Sequence, residues 1–424
     1  MPRTLSKWLN WQQNLHLSSI DLGLERVGLV AKRLKLSNLP FPIISVAGTN
    51  GKGSSIAMLQ SIYQKAGYKT GVYTSPHLLR YNERIVIGGE EVSDRDICEV
   101  FEKINQARAE TTLTYFEFGT LAAACLFVQA QIDIAIFEMG LGGRLDAVNL
   151  WDADLALITT IAIDHENWLG NTREKIAIEK AGIMRPNQPV ICGDKKPPVT
   201  IASEAKRIGA KLLQRNQDFS LVLPQSQQTT KTWQWLDNRE NKSLKLPFPS
   251  LKGNFQLDNA ANVITGIMQL QRQLPVSLET IKKGLSHSVL AGRLQIISIC
   301  PEILLDVAHN PQAAEQLALY LHNNPISGKT IALFSVLNDK DLKGITAPFN
   351  SLIDQWYIIS LEGERGQCAT QLKSKLEKLG INNTNRVNNN FKKTMQDLIN
   401  TLECKDRLVV FGSFLLVSSV LKLF

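Results

Sequence analysis

The chain lacks several features that mark specialised classes of protein. Its six cysteines form no CxxC pair, which argues against a zinc cluster or the disulfide framework of a small secreted protein. No apolar run reaches the roughly 18 residues that span a bilayer, and the first residues lack the apolar core of a signal peptide. We therefore expect a soluble, cytoplasmic protein whose cysteines are reduced thiols. They are Cys98, Cys125, Cys192, Cys300, Cys368 and Cys404.

Basic runs are also lacking, although the chain carries an excess of positive charge. Lys and Arg number 47 against 39 Asp and Glu, and the formal net charge is +8. Because these residues are scattered, we interpret them as an ordinary solvated surface and expect neither a nucleic-acid nor a membrane partner. The 424 residues, 44% of them hydrophobic, predict a globular protein of two or three domains at roughly 150 residues each.

Apolar runs alternate with segments of helical spacing along the whole chain. The runs PIISVAG, IDIAIFEMG and DLALITTIAIDH are bounded by turn residues, which predicts parallel strands joined by helices. The alternation begins again after Arg293 with ILLDVA, TIALFSVL, WYIISL and RLVVFG. We expect a first domain over residues 1–286, a hinge at 287–292 and a smaller α/β domain over 293–424. In the second domain, Asn310 and Pro311 have the pattern of a helix N-cap followed by proline.

The first pattern that indicates chemistry lies between residues 43 and 56. An apolar strand leads into a loop with Gly48, Gly51 and Gly53, and a helical pattern follows. Free amides at the helix start would bind phosphate oxygens, and Lys52 would add a positive charge. The spacing departs from GxxxxGK[ST], so an ordinary glycine-rich turn is the alternative. The strand before the loop and the helix after it favour a nucleotide phosphate site.

Two further polar residues follow apolar runs. Glu138 ends one run, and His165 follows another. Since the carboxyl ends of parallel strands share one edge of a sheet, both side chains are expected near the glycine loop. A divalent metal between Glu138 and nucleotide phosphate would satisfy the carboxylate, and the imidazole would be a further ligand. The alternative is a glutamate bonded to backbone amides and a histidine in a turn.

A lysine occupies an apolar helix stripe. Asn171 has the spacing of an N-cap, and Ile176, Lys180 and Ile183 then fall on one face. Burial favours the neutral amine, which can react with carbon dioxide to give a carbamate. An ion pair with a buried carboxylate, or a lysine that reaches outward to water, explains the spacing equally well.

Taken together, these motifs resemble the dihydrofolate synthase/folylpolyglutamate synthase family of bacteria, within the muramyl-ligase-like superfamily of ATP-dependent amide ligases. The resemblance covers nearly the whole chain in order. It is carried by GTNGKGS, YTSPHL, LTYFEFGT, EMGLGGRLDAVN, IDHENWLG, EKAGIMR, GRLQ and DVAHNP.

The resemblance implies an N-terminal P-loop domain with a mainly parallel sheet, a smaller C-terminal Rossmann-like α/β domain, and the cofactors ATP and Mg²⁺, with two magnesium ions. The implied nucleotide contacts are Thr49, Asn50, Gly51, Lys52, Gly53, Ser54, Asn259, Arg293, Asp306 and His309. The implied metal residues are Ser75, Glu138 and His165, and the implied catalytic residues are Lys52, Glu138, His165 and a carbamylated Lys180. The implied pteroate pocket consists of Ser19, Ile20, Asp21, Leu22, Thr114, Tyr115, Phe116, Glu117, Leu145, Asp146 and Ala147.

By the same resemblance, the expected reaction joins L-glutamate to dihydropteroate and to the γ-carboxylate of reduced folates through an acyl phosphate. The expected partners are these small molecules, and the expected state is a monomer. Three alternatives stay open at this point: a folylpolyglutamate synthase without the first activity, a small-molecule phosphotransferase, and a nucleotide-dependent switch protein.

Overall fold

A computed structural model describes residues 4–18, 20–224, 232–363, 365–386 and 391–424. The chain divides into two compact units. The first comprises Met1–Ser250 and Gln256–Val289, and the second comprises Leu251–Phe255 and Leu290–Phe424. Nothing in the sequence pattern indicated that the segment Leu251–Phe255 belongs to the second unit. Within the described part of the chain, every helix is too short or too polar to cross a membrane.

The first unit is built on parallel strands with helices between them. Its strands are β1 Ile43–Ala47, β2 Thr70–Tyr73, β3 Ile85–Ile87, β4 Glu90–Glu91, β5 Ile134–Glu138, β6 Leu155–Ile158, β7 Pro189–Cys192, β8 Lys211–Gln214, β9 Phe219–Val222, β10 Thr232–Asp237 and β11 Lys242–Pro247. Its helices are α1 Leu5–Gln13, α2 Glu25–Arg33, α3 Lys52–Lys65, α4 Asp94–Arg108, α5 Tyr115–Ala130, α6 Glu166–Leu169, α7 Arg173–Ala181, α8 Val199–Ile208, α9 Phe255–Leu270 and α10 Leu278–His287, and the 3₁₀ helices are Tyr81–Arg84 and Ala147–Leu150.

The main sheet of this unit has the strand order β4-β3-β2-β5-β1-β6-β7-β8. Strands β2, β5, β1, β6, β7 and β8 run parallel, while β3 and β4 add an antiparallel edge. Strand β1 lies between β5 and β6, and all three are fully buried, as expected for a parallel sheet covered on both faces. Their carboxyl ends therefore share one edge. The predicted strands and the mainly parallel architecture are confirmed.

Helix α3 is packed between the sheet and a second helix layer. It contacts β1, β2 and β5, and α10 lies on it so closely that a Cβ on Gly284 would be 2.4 Å from Cγ1 of Ile62. The Ser61 hydroxyl also donates to the carbonyl of Gly284 at 2.8 Å. Ile56, Leu59 and Ile62 are each at most 2% exposed. The helix that begins at the glycine loop is therefore held rigidly.

Strands β9, β10 and β11 form a separate antiparallel sheet in the order β11-β10-β9. The sequence analysis did not predict this sheet. Trp233 and Trp235 point inward along β10 and are each 1% exposed, while Gln234 between them is exposed. This two-residue period is a strand signal, but it is confined to one short segment.

The second unit has the predicted α/β alternation. Its strands are β12 Gln295–Ile299, β13 Glu302–Leu305, β14 Thr330–Phe334, β15 Gln355–Ile358, β16 Thr384–Arg386 and β17 Arg407–Phe411, in the sheet order β12-β13-β17-β14-β15-β16. Its helices are α11 Pro311–Asn323, α12 Leu342–Thr346, α13 Ala369–Lys378, α14 Phe391–Thr401 and α15 Phe414–Leu421, and Ala347–Phe349 is a 3₁₀ helix. The Asn310 side chain accepts from the amide of Ala313, which confirms the predicted cap of α11.

One prediction about the cysteines is wrong. Cys300 and Cys404 form a disulfide, although their positions are 104 residues apart. The turn between β12 and β13 meets the segment before β17, where the amide of Glu302 donates to the carbonyl of Asp406. The sequence analysis considered only closely spaced cysteine pairs, and this pairing depends on the order of strands in the sheet. Cys98, Cys125, Cys192 and Cys368 take no part in a disulfide.

Candidate active site

The glycine loop turns directly from β1 into α3. Gly48 and Gly51 have φ values of +147° and +90°, in the region that favours glycine. Close contacts add a second reason for glycine. A Cβ on Gly48 would lie 1.8 Å from Oγ1 of Thr159, and one on Gly51 would lie 2.5 Å from Oδ1 of Asn259. The loop is thus pressed between two neighbouring segments, with the amides of the first turn of α3 at its end.

Lys52, the first residue of α3, folds back over this loop. Its Nζ donates to the carbonyl oxygens of Gly48 at 3.0 Å and Thr49 at 3.4 Å. It also lies 3.9 Å from Oε1 of Glu138. The ammonium is therefore half-buried between the glycine loop and a buried carboxylate.

Glu138 lies beside the loop at the carboxyl end of β5. It pairs with Val46 in the register of β5 and β1 and is 5% exposed. Its Oε2 accepts the amide proton of Ser75 at 3.0 Å, just beyond the end of β2. The structure therefore brings together two of the residues expected at the metal, one of them with a hard oxygen donor that suits magnesium. Among the described residues, no three His, Cys, Asp or Glu side chains form a ready metal cluster.

The segment after β6, which we call the β6–α6 loop (residues 159–165), is joined to the glycine loop by a run of hydrogen bonds. The amide of Thr49 donates to the carbonyl of Thr160 at 2.8 Å, and the amide of Asn50 donates to its Oγ1 at 3.1 Å. The hydroxyl of Thr159 donates to the carbonyl of Asn50 at 2.6 Å, and the amide of Ala162 donates to Oγ1 of Thr49 at 3.0 Å. The sequence analysis missed Thr159 and Thr160, although two threonines directly after a buried strand were a visible signal.

His165 belongs to the same loop. The sequence analysis had placed it at the end of a strand, which is wrong. Strand β6 ends at Ile158, and His165 directly precedes α6 with a φ of +54°. Its amide donates to Oδ1 of Asp164 at 2.8 Å. The apolar run continues past the strand because Ile161 is buried in a loop, so the run length alone overestimated the strand.

Lys180 is buried, so the alternative of a lysine that reaches outward to water is wrong. It is 3% exposed on the buried face of α7, which also carries Ile176. Ile183 is buried too, but it lies beyond the end of the helix at Ala181. Burial, and after it the positive charge of Lys52, lowers the pKa of Lys180 from 10.5 to about 7, although the charges of Asp164 and Asp146 act in the opposite sense. A large fraction of the amine is therefore neutral near pH 7.

The helix that carries Lys180 starts later than predicted. Its N-cap is Thr172, whose side chain accepts from the amide of Lys175, and not Asn171. Thr172 has extended backbone angles, which an N-cap residue requires. The asparagine was one residue too early because both residue types are good N-caps.

The segments expected to form the pteroate pocket meet in the first unit. The amide of Gly23 donates to the carbonyl of Leu145 at 3.2 Å. Arg26 links the other two segments, since its Nη2 donates to the carbonyl of Asp21 and to Oε1 of Glu117, each at 3.0 Å. Thr114 and Glu117 form a capping box at the start of α5. Ile20 and Leu22 adjoin Asp21, whereas Ser19 lies outside the described residues.

Two residues of this region have distinctive surroundings. Asp146 accepts amide protons from Leu141 and Val148, and burial raises its pKa to about 6 against these bonds and the charge of Lys52. Phe116 packs on Gly140, where a Cβ would lie 2.7 Å from the ring, and against Tyr73 with ring centroids 5.7 Å apart. It stays partly exposed, so part of the ring is available to a ligand.

A chain of buried amides ties α9 to the glycine loop. Asn259 Nδ2 donates to Oε1 of Gln256 at 2.9 Å, and Gln256 Nε2 donates to Oγ of Ser54 at 3.2 Å. Each of these residues is at most 4% exposed. The Ser54 hydroxyl therefore accepts a hydrogen bond from α9. The sequence analysis did not predict this contact and did not select Gln256.

In the second unit, the residues expected at the nucleotide lie together around an aromatic ring. The Arg293 guanidinium is 5.4 Å from the ring of Phe414, and the ring of His309 is 5.7 Å from it. Asp306 is 6% exposed and accepts amide protons from Leu294 and Ala308. Burial raises the pKa of Asp306, and the charge of Arg293 opposes this shift. Phe414 was missed because an aromatic residue in an apolar run is usually core.

The chain matches known families and proteins along nearly its whole length. The Mur ligase middle domain matches residues 46–266, and the Mur ligase glutamate ligase domain matches residues 292–414. The dihydrofolate synthase/folylpolyglutamate synthase of Escherichia coli (strain K12) is 43% identical over 421 residues, which cover 99% of this chain and 95% of that protein.

Solved structures agree with these matches. That of E. coli FolC in complex with DHPP and ADP superposes with a TM-score of 0.91 at 42% identity and covers 99% of this chain and 97% of that chain. A bifunctional folylpolyglutamate synthase/dihydrofolate synthase with Mn, AMPPNP and L-glutamate bound gives a TM-score of 0.89 at 40% identity, with coverage of 99% and 98%.

Proposed function

Because this chain belongs to the dihydrofolate synthase/folylpolyglutamate synthase family, we propose a division of labour among the residues of its glycine-loop site. The chain is an ATP-dependent ligase that adds L-glutamate to dihydropteroate and to reduced folates. Its partners are these small molecules, and the simple phosphotransferase falls away as an alternative. The roles of the individual residues are the proposal.

The proposed reaction starts with phosphoryl transfer. A carboxylate oxygen of the pterin acid attacks the γ-phosphorus of ATP, the bond to the β,γ-bridging oxygen breaks, and ADP leaves. The amine of glutamate then attacks the acyl carbon, loses a proton and displaces inorganic phosphate, so an amide forms. Such transfer needs alignment and charge neutralisation more than a nucleophilic side chain. No serine, histidine or cysteine nucleophile is assigned for this reason.

The glycine loop and Lys52 are proposed to hold the phosphates. The amides of Gly51 and of the first turn of α3 supply donors, and Lys52 neutralises the terminal phosphate. Thr49 and Asn50, whose amides are bonded to Thr160, shape the loop around the phosphates. Phosphate oxygens would replace the carbonyl oxygens that Lys52 now contacts at 3.0 and 3.4 Å. The exchange of neutral acceptors for a charged one favours binding.

Glu138, Ser75 and His165 are proposed to serve two magnesium ions. The buried Glu138 carboxylate next to Lys52 fits a hard divalent ion, because a carboxylate at this depth requires positive charge near it. Magnesium, when bound, would neutralise charge on the phosphates during transfer. The Ser75 amide keeps Glu138 oriented by its bond to Oε2.

Lys180 is proposed to be a carbamate in the active enzyme. Its neutral amine attacks carbon dioxide, and loss of a proton leaves an N–CO₂⁻ group. Burial makes the neutral amine available near pH 7, and the positive charge of Lys52 would stabilise the resulting anion. The carbamate would thus place a negative charge at a position where an unmodified lysine is neutral or positive.

The pterin acid is proposed to bind between the segments that Arg26 and Gly23 join. Asp21, Phe116 and Asp146 would contact the pterin by bonding to its ring nitrogens and stacking on its face. In the second unit, Arg293, Asp306 and His309 are proposed to contact the nucleotide, as is Asn259 in the first. These assignments come from the family motifs and from the grouping of the residues within each unit.

The observation that carries the proposal is the placement of Lys52 between the glycine loop and Glu138. Product mass spectrometry tests it together with the two activities. Dihydropteroate and tetrahydrofolate are supplied separately with ATP, magnesium and glutamate, to wild type and to Glu138→Gln. Wild type should give dihydrofolate from the first and a glutamate-extended product from the second, and the variant should give neither. Product from tetrahydrofolate alone would select the folylpolyglutamate synthase without the first activity.

A further inference from the structure

The β6–α6 loop has a second anchor in addition to its bonds with the glycine loop. Arg173 and Asp194 form an ion pair in which Arg173 Nη2 lies 3.0 Å from each carboxylate oxygen of Asp194. Asp194 follows β7, and Arg173 is the first residue of α7. The pair thus joins two elements that flank the loop.

This ion pair binds both backbone groups of one loop residue. The amide of Ile161 donates to Oδ2 of Asp194 at 2.8 Å, and Arg173 Nε donates to the carbonyl of Ile161 at 2.7 Å. Asp194 is 6% exposed and also accepts the amide proton of Lys196 at 2.9 Å. Charged hydrogen bonds of this kind are shorter and stronger than neutral ones, so Ile161 is held firmly.

The anchored residue lies at the centre of the site's supporting bonds. Thr160, immediately before Ile161, accepts the amides of Thr49 and Asn50, and Ala162, immediately after it, donates to Thr49. Three residues further on is His165. The same ion pair also fixes the first residue of α7, the helix that carries Lys180 in its last turn.

We propose that Arg173 and Asp194 are a positioning pair, which holds Ile161 and with it the β6–α6 loop. The loop in turn keeps the glycine loop and His165 in the geometry that binds the magnesium complex of ATP. Neither residue is assigned contact with ATP or metal. The inference rests on the proposed function of the site. Supporting residues of this type typically change metal affinity or activity by about 10- to 100-fold when they are replaced.

The chain offers a matched control for this pair. Arg239 Nη2 lies 2.7 Å from Oδ2 of Asp237, at the end of β10 in the separate antiparallel sheet. The side chains there are 37% and 9% exposed, against 38% and 7% for Arg173 and Asp194. Replacement of either pair removes an ion pair of similar burial, but the control pair bonds to none of the site's loops.

The experiment measures equilibrium affinity for the magnesium complex of AMPPNP by titration calorimetry, without turnover. The variants are Asp194→Asn and Arg173→Lys, with Asp237→Asn and Arg239→Lys as controls, and thermal unfolding is followed for each. We expect both site variants to bind about 10- to 100-fold more weakly. The controls should bind as wild type does. The Michaelis constant for dihydropteroate should stay within about twofold in all four variants, since the pair does not touch that pocket.

A double-mutant cycle separates positioning from general stability. Asp194→Asn is combined with His165→Ala, and the loss in the double variant should be smaller than the product of the two single losses, because both act on one loop. Independent losses, or wild-type affinity in folded Asp194→Asn and Arg173→Lys, would overturn the inference. Failure of both variants to fold would do so too, because the pair would then be a general stabiliser. A wild type that binds the nucleotide but makes no glutamate product would instead refute the proposed function.

Discussion

At the scale of single residues, Lys52 has the sharpest consequence. Lys52→Ala should reduce ATP-dependent product formation by at least about 100-fold, because the variant loses the charge that we propose neutralises the terminal phosphate. The thermal unfolding midpoint should change little, since the side chain is only half-buried and its bonds are to loop carbonyls. Steady-state assays with calorimetric unfolding measure both.

Lys65, in the last turn of the same helix, is the control for Lys52. Lys65→Ala removes the same side chain from α3 at the far end from the loop, so activity should stay at the wild-type level. Wild-type turnover in Lys52→Ala would contradict the phosphate assignment.

Lys180 predicts a dependence on pH with a definite sign. Its pKa in the folded protein is about 7 against 10.5 for an ordinary lysine, so between these values the unfolded chain binds the extra proton. Burial of the ammonium opposes folding fully below pH 7, and this opposition is relieved as the pH rises toward 10.5. In CO₂-free buffer, the free energy of unfolding of wild type should therefore increase relative to Lys180→Met between pH 7 and 10, as measured by urea titration.

Activity provides the second test of Lys180. Lys180→Ala should bind ATP but lose turnover, and short-chain carboxylic acids should restore part of it by replacing the carbamate. Lys175→Ala, on the exposed face of the same helix, is the control and should behave as wild type. Active wild-type enzyme that shows no carbamate carbon signal by carbon-13 NMR after labelling with ¹³CO₂ would contradict the carbamate.

Single residues were predictable where local pattern and chemistry coincide. Lys180 was found because an ionisable residue interrupted an apolar stripe, and Glu138 because a carboxylate ended a buried strand. Thr159 had a visible signal in its place after a buried strand, but its bond to the distant carbonyl of Asn50 was not predictable. Asp194 was not predictable either, since its partner is the backbone amide of Ile161, 33 residues away. A sequence pattern does not contain such pairings.

At the scale of elements, the turn from β1 into α3 depends on missing side chains. Gly51→Ala should destabilise the protein by more than the roughly 1–2 kcal/mol that a left-handed alanine costs, because its Cβ would also meet Oδ1 of Asn259 at 2.5 Å. Affinity for AMPPNP should fall with it, since either the loop or α9 must move. Unfolding titrations and calorimetry provide the two values.

Gly67 makes the comparison quantitative. It has a φ of +92°, close to the +90° of Gly51, and nothing lies within 4 Å of a Cβ there. Gly67→Ala therefore has the conformational cost without the contact, and nucleotide affinity should not change. Equal losses of stability in the two variants, with unchanged affinity, would show that the contact with Asn259 is unimportant.

Elements were predictable where they carry a strong period. The buried strands β1, β5 and β6 and the capped helix α11 follow from apolar runs and cap residues. The end of β6 was misplaced because a buried loop residue, Ile161, resembles a strand residue. The sheet formed by β9, β10 and β11 was missed because its two-residue period is short and its strands are mostly polar on one face.

At the scale of the whole molecule, the disulfide in the second unit predicts a redox-dependent stability. Cys300→Ser should lower the thermal unfolding midpoint of the oxidised protein, since loss of a link between positions 104 apart removes up to about 4.7 kcal/mol in the chain-entropy model. Reduced wild type should match the variant. Cys368→Ser, at an exposed cysteine of the same unit outside the disulfide, is the control and should leave the difference between oxidised and reduced protein unchanged. Equal midpoints for oxidised and reduced wild type would contradict the link.

The division into two α/β units was predictable because the strand–helix alternation begins twice. The transfer of residues 251–255 to the second unit was not, because membership of a unit depends on tertiary contacts. Family likeness provided what physical pattern alone left open, namely the identity of the acceptor.

The most direct measurement is ADP release by wild type with every combination of dihydropteroate and L-glutamate, at saturating ATP and magnesium. We predict sustained release only when both are present, with one glutamate incorporated for each ADP formed. Sustained release that is the same with and without glutamate would contradict the ligase.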